Sequence, residues 1–373
     1  VSDNPFTNKI WLAPLTLGGN LPFRRLCVEM GAEVTVGEMA VADRLVRNVS
    51  SEFALLKSHP DEPLFGAQLA ARTAETLAEA GHIAEQRGAR FVDLNCGCPI
   101  DEITRRGLGA SLLRKPARVG RLVSALRAAV GVPVTVKIRT GWSEESPKAP
   151  ELARVCEEAG ASAIILHARA RNQRYSRAAD WDLIGRVAAE RGIPVVGNGD
   201  ILTHFEARER KRQAGIGSVM LARGALIKPW LFREVKEDRG HFPSSHERLG
   251  VIYRLVELLR EHFGEEERGL RRSRRFLAWH LDFFSRYRPL PEEEYAEQAR
   301  EHPLLQTRLP GGQDESPLGR LLDDPSSDVH DRLSEALLDA QDPDDCGRRA
   351  AALAAELEAA RRDGSEATPP ALN

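Results

Sequence analysis

No stretch of this sequence is apolar for long enough to cross a bilayer, and its start lacks the pattern of a secretory signal. Cysteine is scarce. Cys27, Cys96, Cys98, Cys156 and Cys346 are scattered without a disulfide framework, and Cys96 and Cys98 form a C-x-C rather than the paired C-x-x-C of a zinc site. No His, Asp or Glu cluster has metal-ligand spacing, no serine sits in a nucleophile elbow, and no G-x-G-x-x-G opens a helix after the first strand. These absences argue against a disulfide scaffold, a metalloenzyme, a serine hydrolase and a Rossmann dinucleotide fold. Charge of one sign is missing too: 53 Lys and Arg against 55 Asp and Glu leave a net −2. That total hides unevenness, with acid gathered near the C-terminus and a tight basic cluster at Arg271, Arg272, Arg274 and Arg275, so a nucleic-acid partner stays open. The expectation is a reduced, cytoplasmic, monomeric chain with neither membrane nor metal among its partners.

What is present is a regular alternation. Short apolar runs at Ile10–Ala13, Val34–Val36, Leu64–Gln68, Phe91–Asn95, Val134–Ile138, Ala163–His167, Pro194–Gly197 and Ser218–Leu221 alternate with amphipathic stretches such as Thr73–Arg87, Ala117–Val130 and Phe205–Gln213. Eight strand candidates interleaved with helices predict a closed parallel (β/α)8, or TIM, barrel over residues 1–238 rather than an open sheet. A barrel gathers its chemistry at the C-terminal ends of its strands. There the runs end on Pro14-Leu15-Thr16, Glu38, Gln68, Asn95 with Cys98, Lys137 with Arg139, His167 with Arg169, Asn198-Gly199-Asp200 and Ala222-Arg223-Gly224.

Several of these positions have a bland reading beside the functional one. Cys98 is pinned between Gly97 and Pro99 just past a strand end, which places a thiol toward a pocket, although a free cysteine is more often a small buried hydrophobe. Lys137 lies in the otherwise apolar Val134-Thr-Val-Lys-Ile138, and an interior lysine in an edgeless sheet needs an anionic or hydrogen-bonding partner. His167 alone reads as a satisfied core histidine. The Gly197-Asn-Gly-Asp200 and Ala222-Arg-Gly224 loops allow close backbone approach to a phosphate, with Arg223 as its charge, or else only make tight turns.

After Trp230 the pattern changes. Lys236–Arg248 reads as a linker, Leu249–Phe263 and Gly269–Arg288 as helices, Pro289–Gly312 as a loop, and Ser316–Arg362 as two or three more helices. A smaller all-helical domain over 246–362 is predicted, with a disordered tail at 363–373. Phe276, Trp279, Phe283 and Tyr287 form a stripe expected to be core, while Arg271 and Arg275 lie one turn apart on another side, placed to track an RNA backbone.

Taken together, Leu12-Ala-Pro-Leu-Thr16, Gln68, Asn95-Cys-Gly-Cys-Pro99, Lys137-Ile-Arg-Thr-Gly141, His167-Ala-Arg169, Gly197-Asn-Gly-Asp200 and Ala222-Arg-Gly224 resemble the tRNA-dihydrouridine synthases, in order and interval across the whole barrel. Gly19-Asn-Leu-Pro-Phe-Arg-Arg25, Gly37-Glu-Met-Ala-Val41, Gln173-Arg-Tyr175 and Lys228-Pro-Trp230 are most similar to the type-3 branch, which in eukaryotes acts on tRNA uridine 47. The resemblance implies FMN as cofactor, NADPH as reductant, tRNA as substrate and a helical tRNA-binding domain. It implies that Pro14, Leu15 and Thr16 lie under the flavin and that Gln68, Lys137 and His167 contact it. Asn198, Gly199, Asp200, Ala222 and Arg223 would hold its phosphate end, with Cys98 as general acid. Asn95, Arg139 and Arg169, with Arg271 and Arg275, are the expected substrate contacts. Cys96 and Ala168 depart from the family pattern, and Cys96 leaves the chain with two candidate thiols. The rival readings are a dihydroorotate dehydrogenase-like enzyme acting on a free pyrimidine, and a non-catalytic RNA-binding protein.

Overall fold

The computed structural model of the chain describes residues 4–173, 175, 177–307 and 314–362. The tail expected at 363–373 lies outside the described residues. The barrel strands are β1 (Ile10–Leu12), β2 (Val34–Val36), β3 (Phe65–Ala70), β4 (Phe91–Asn95), β5 (Val134–Arg139), β6 (Ala163–His167), β7 (Val195–Asn198) and β8 (Val219–Leu221). Each pairs in parallel with the next, and β1 pairs with β8, which closes the sheet. A two-residue bridge at Ala40–Val41 adds to the outer end of β3. All eight predicted strands are present within two residues of their expected ends.

Side chains alternate along a strand, so one face of each points into the barrel. The interior core takes Trp11, Val34, Val36, Phe91, Ala163, Ile165, Val196 and Met220, with Phe6 packed against Trp11 and Phe91 at ring separations of 5.3 and 5.1 Å. Gly66 is demanded by this packing: a Cβ there would sit 2.2 Å from the Phe91 ring. Two residues further along the same faces the interior turns polar. Phe91 is followed by Asp93 and Asn95, Gly66 by Gln68, and Thr135 by Lys137 and Arg139. The apolar layer thus lies toward the strand starts and the polar one toward the strand ends.

Chain contacts divide the described residues into two compact units. The first holds the barrel and also residues 290–307. Here the structure corrects the sequence reading, because Pro289–Gly312 contains a helix, Glu292–Glu301, and a 3-10 turn, Leu304–Gln306. Three glutamates in the first turn suit a helix N-terminus, but too few apolar residues follow to show a 3.6-residue period. The segment is held to the barrel helix His204–Ala214 by His204 and Arg208, both on Glu292, and by the Leu304 amide donating to Glu206 at 3.0 Å.

The second unit contains helices Ser245–Phe263, Glu267–Phe284, Pro317–Leu322, Ser327–Leu338 and Pro343–Arg362. The expected linker is shorter than predicted. Helix Leu231–Glu237 runs into it, and a Ser244/Glu247 capping box starts the next helix. The aromatic stripe is corrected except at Tyr287, which is buried as expected. The buried face of Glu267–Phe284 is Ser273, Leu277, His280, Leu281 and Phe284, whereas Phe276, Trp279 and Phe283 are half-exposed. Both stripes have heptad-like spacing, so the period alone does not choose between them. Among the described residues no helix is long and apolar enough to cross a membrane, and no group of His, Cys, Asp or Glu is placed to hold a metal.

One buried ion pair secures the β1–β2 side of the barrel. Arg24 meets Glu62 at 2.8 Å and donates to the carbonyls of Gly19 and Lys57, and Glu62 also accepts from Thr35 and the His59 amide. Removing one charge of a fully buried pair strands the other. Glu62→Gln is therefore expected to destabilise the barrel by about 3–5 kcal/mol, read as a lowered urea midpoint.

Candidate active site

The strand ends surround a cavity of about 710 Å³, within the roughly 300–1,000 Å³ range of small-molecule and cofactor sites. Every barrel residue expected at the site lines it: Pro14, Leu15 and Thr16; Gln68, Asn95 and Cys98; Lys137, Arg139, His167 and Arg169; and Asn198, Gly199, Asp200, Ala222 and Arg223. Arg271 and Arg275 do not; they belong to the second unit. Among the described residues all five cysteines are free, and the two candidate thiols separate cleanly. Cys98 faces the cavity, whereas Cys96 is 0% exposed and lies behind it.

A chain of hydrogen bonds positions Cys98. Thr135 Oγ1 donates to Asp93 Oδ1 at 2.7 Å, and Gln68 Nε2 donates to Asp93 Oδ2 at 2.7 Å. Asn95 Nδ2 then donates to Gln68 Oε1 at 2.8 Å, and Asn95 Oδ1 accepts from the amides of Gly97 and Cys98 at 3.1 and 2.9 Å. On the other side, Arg139 Nε donates to the Gly97 carbonyl at 2.9 Å. The turn is closed from below by Gly109, at φ 58, where a Cβ would lie 2.8 Å from the Cys98 carbonyl oxygen. Partial burial raises the Cys98 pKa; the Ile100 amide and Arg139 oppose this more weakly. Cys98 therefore stays a protonated thiol at neutral pH, the state a proton donor needs.

Along β5 to β8 the strand ends bring four cations to the cavity, Lys137, Arg139, Arg169 and Arg223. Lys137 Nζ donates to Asn198 Oδ1 at 2.9 Å, and Asn198 is oriented by donating to the Met220 carbonyl at 2.8 Å. Burial and the neighbouring Arg139 lower the Lys137 pKa to about 7. His167 is held neutral, with its pKa driven well down by burial and then by Arg139, Lys137, Arg169 and Arg223. Asp200 is fully enclosed and takes Arg169 at 2.5 Å, Arg223 at 3.3 Å, Gln306 at 2.8 Å and the Ala179 amide at 2.9 Å. Its carboxylate anchors the cations from behind. Arg169 is likewise committed inside the protein, to Asp200, His167 and the Arg177 carbonyl. Arg223 remains part-exposed toward the cavity.

Sequence reasoning gave no role to several residues that build this site. Asp93 was hidden inside a strand motif, although its alternation with Asn95 was the available signal. Tyr175 stacks on Arg223 at 4.1 Å and faces His167 at 6.3 Å, from a loop whose spacing carries no period. Glu38 accepts from the Leu17 amide at 2.9 Å, where Leu17 has φ 65, and so shapes the segment after Pro14-Leu15-Thr16. Leu305 and Gln306 arrive on the segment read as a loop.

The model of the family described as Dihydrouridine synthase (Dus) matches residues 11–309. A Mus musculus protein named tRNA-dihydrouridine(47) synthase [NAD(P)(+)]-like is 43% identical over 76% of this chain and 45% of its own. The Coprinopsis cinerea tRNA-dihydrouridine(47) synthase [NAD(P)(+)] is 40% identical over 88% of this chain and 50% of its own. An Arabidopsis thaliana relative with the Mus musculus name is 39% identical over 76% and 42%. The chain thus spans about half the length of the curated relatives it matches.

The Asp93 environment has a measurable sign. Burial raises its pKa to about 6, with Gln68, Thr135 and Lys137 pulling the other way. A carboxyl raised on folding contributes stability that is full below its unfolded value near 4 and is lost as pH rises through about 6. Relative to Asp93→Asn, the wild type should therefore lose about 2 kcal/mol of unfolding free energy between pH 4 and pH 7, as followed by urea titration.

Proposed function

The chain belongs to the dihydrouridine synthase family, and from that premise and the chemistry of the cavity we propose that it reduces a uridine of tRNA to 5,6-dihydrouridine with FMN and NADPH. The observation that carries this reading is a protonated Cys98 facing a cavity that Lys137, Arg223 and neutral His167 also line.

The residues present fit FMN. Of the carboxylates lining the cavity, Asp200 is the one set among these cations, and its pairing with Arg169 and Arg223 leaves that part favouring an anionic guest. Arg223 and the Gly199 backbone suit the phosphate. Gln68 and Lys137 offer polar contacts to the ring system, and Pro14, Leu15 and Thr16 offer a surface for it. Bound FMN would supply the redox chemistry, accepting a hydride from NADPH and giving one to C6 of the base. Lys137 stabilises negative charge in the cavity, and its pKa near 7 rises when an anion lies beside it.

Cys98 completes the reduction. Its S–H proton passes to C5 as the hydride reaches C6, and the thiolate then regains a proton from water, so NADPH and one proton are consumed for each C5–C6 double bond reduced. The Asn95 and Arg139 contacts hold the thiol in place, which matters because position governs proton transfer as much as acidity does. The base must first leave its stack in folded tRNA, at a cost of a few kcal/mol that contacts elsewhere offset. Arg272 and Arg275, exposed on Glu267–Phe284, supply cationic contacts of that kind, while Arg271 is paired with Glu267 at 3.0 Å. The names of the relatives specify position 47, and uridine 47 is the target we assign.

The test is position-resolved dihydrouridine mapping on unmodified tRNA incubated with the FMN-loaded chain and NADPH. Signal at position 47 is expected, reduced about a hundredfold or more in Cys98→Ala, which stays yellow with bound flavin, and retained in Cys96→Ala. Equal product from wild type and Cys98→Ala would sink the acid assignment. Turnover of free uracil or dihydroorotate with no product on tRNA would sink the substrate.

A further inference from the structure

Several surface arginines of the barrel unit have carboxylate partners: Arg154 with Glu158, Arg191 with Glu157, Arg208 with Asp238, Arg212 with Glu209 and Arg171 with Asp101. One group does not. Arg72, Arg105, Arg106 and Lys115 are exposed and Arg118 is half-exposed, and among the described residues none of the five is ion-paired. They share one surface. The Arg72 side chain runs over Gly107, where a Cβ would lie 3.5 Å from its Cδ, and Arg118 donates to the Arg72 carbonyl at 2.5 Å. Lys115 caps the helix Pro116–Ala129 that carries Arg118. Gathered like charges on one surface create a positive field that attracts a polyanion.

The patch also belongs to the same piece of backbone as Cys98. Helix Asp101–Arg105 begins two residues after Pro99 and advances only about 8 Å before Arg105 and Arg106. The 3-10 turn Gly109–Arg114 that follows returns to the thiol, with the Ala110 amide donating to the Cys98 carbonyl at 2.9 Å. Between thiol and patch stands Ile100, 51% exposed. A base seated at Cys98 leaves its own sugar and phosphates outside the cavity, and Ile100, Glu102 and Ile103 of this same segment line the cavity.

We propose that Arg72, Arg105, Arg106, Lys115 and Arg118 form a docking surface for the sugar–phosphate backbone of the RNA strand that carries the reacting uridine. This rests on the reading of the chain as a tRNA-modifying enzyme and assigns a second basic surface, on the barrel itself. Contacts to phosphate release counterions, so each lost contact lowers the slope of log affinity against log salt by about 0.7–0.9.

The experiment measures binding of unmodified tRNA to the full chain across a series of salt concentrations, with Arg105→Gln/Arg106→Gln/Lys115→Gln beside wild type and a thermal melt of each. The triple variant is expected to bind roughly tenfold more weakly at low salt, with a slope shallower by about 2 to 3. Should the triple variant melt early, Arg106→Gln and Lys115→Gln singly are each expected to lower the slope by about 1. The control Arg154→Gln, from a paired arginine, should leave it unchanged. A folded triple variant with wild-type affinity and slope overturns the docking surface while the proposed reaction stands. Absence of both tRNA binding and dihydrouridine product in wild type overturns the reading beneath it, and the surface with it.

Discussion

An ionised carboxylate can only accept hydrogen bonds, and the active site hangs on that restriction at Asp93. Because both its oxygens accept, Gln68 must present its amide nitrogen to it and turn its oxygen toward Asn95. Asn95 must then donate to Gln68, which leaves its own oxygen for the amides of Gly97 and Cys98. The direction of two side-chain amides, and through them the posture of the thiol-bearing turn, is thus set by one group beneath the cavity floor. A neutral amide at the same place has no such authority, since it satisfies either orientation of Gln68. Burial works against this device by raising the Asp93 pKa to about 6, and the Lys137 charge and two donated hydrogen bonds keep the carboxylate ionised at neutral pH.

The barrel makes that arrangement possible by stacking chemistry on packing. Phe91, Asp93 and Asn95 follow one another up the same face of β4, from aromatic core to buried carboxylate to cavity wall. A one-residue slip would carry all three outward, so register and site are a single constraint. The apolar layer below, sealed by Phe6 against Trp11 and Phe91, excludes water from the lower lining of the polar layer. It is this dry setting that perturbs Asp93, Lys137 and His167, and a wet groove bearing the same residues would leave them near their ordinary values.

The strand ends were legible because a closed parallel sheet sends its chemistry to one edge, and eight short apolar runs each finished on a polar or glycine-bearing group. What escaped was whatever depends on a neighbour rather than on a period. Tyr175 reaches the arginines from a loop, and the Glu292–Glu301 helix is recruited by His204 and Arg208 despite a nearly all-polar sequence. The aromatic stripe of Glu267–Phe284 misled for a related reason. Size and apolarity mark Phe276, Trp279 and Phe283, yet the parallel row of Ser273, Leu277, Leu281 and Phe284 takes the core. The two candidate thiols were told apart by the turn that Gly97 and Pro99 impose on Cys98, and the structure adds the complete burial of Cys96.

Those thiols show how one physical term produces opposite roles. Desolvation raises the pKa of both, so neither is a thiolate at neutral pH. At Cys96 the burial is complete, and the residue behaves as a small apolar filler beside Cys156. At Cys98 it is partial, opposed by the Ile100 amide and Arg139, and the sulfur opens onto the cavity. A proton donor needs both halves of that condition: enough burial to hold the proton, and enough exposure to give it to something that enters. The Gly97–Pro99 turn supplies the second half, because the chain leaves the core at Gly97 and a strand continued through Cys98 would have kept its side chain within the wall.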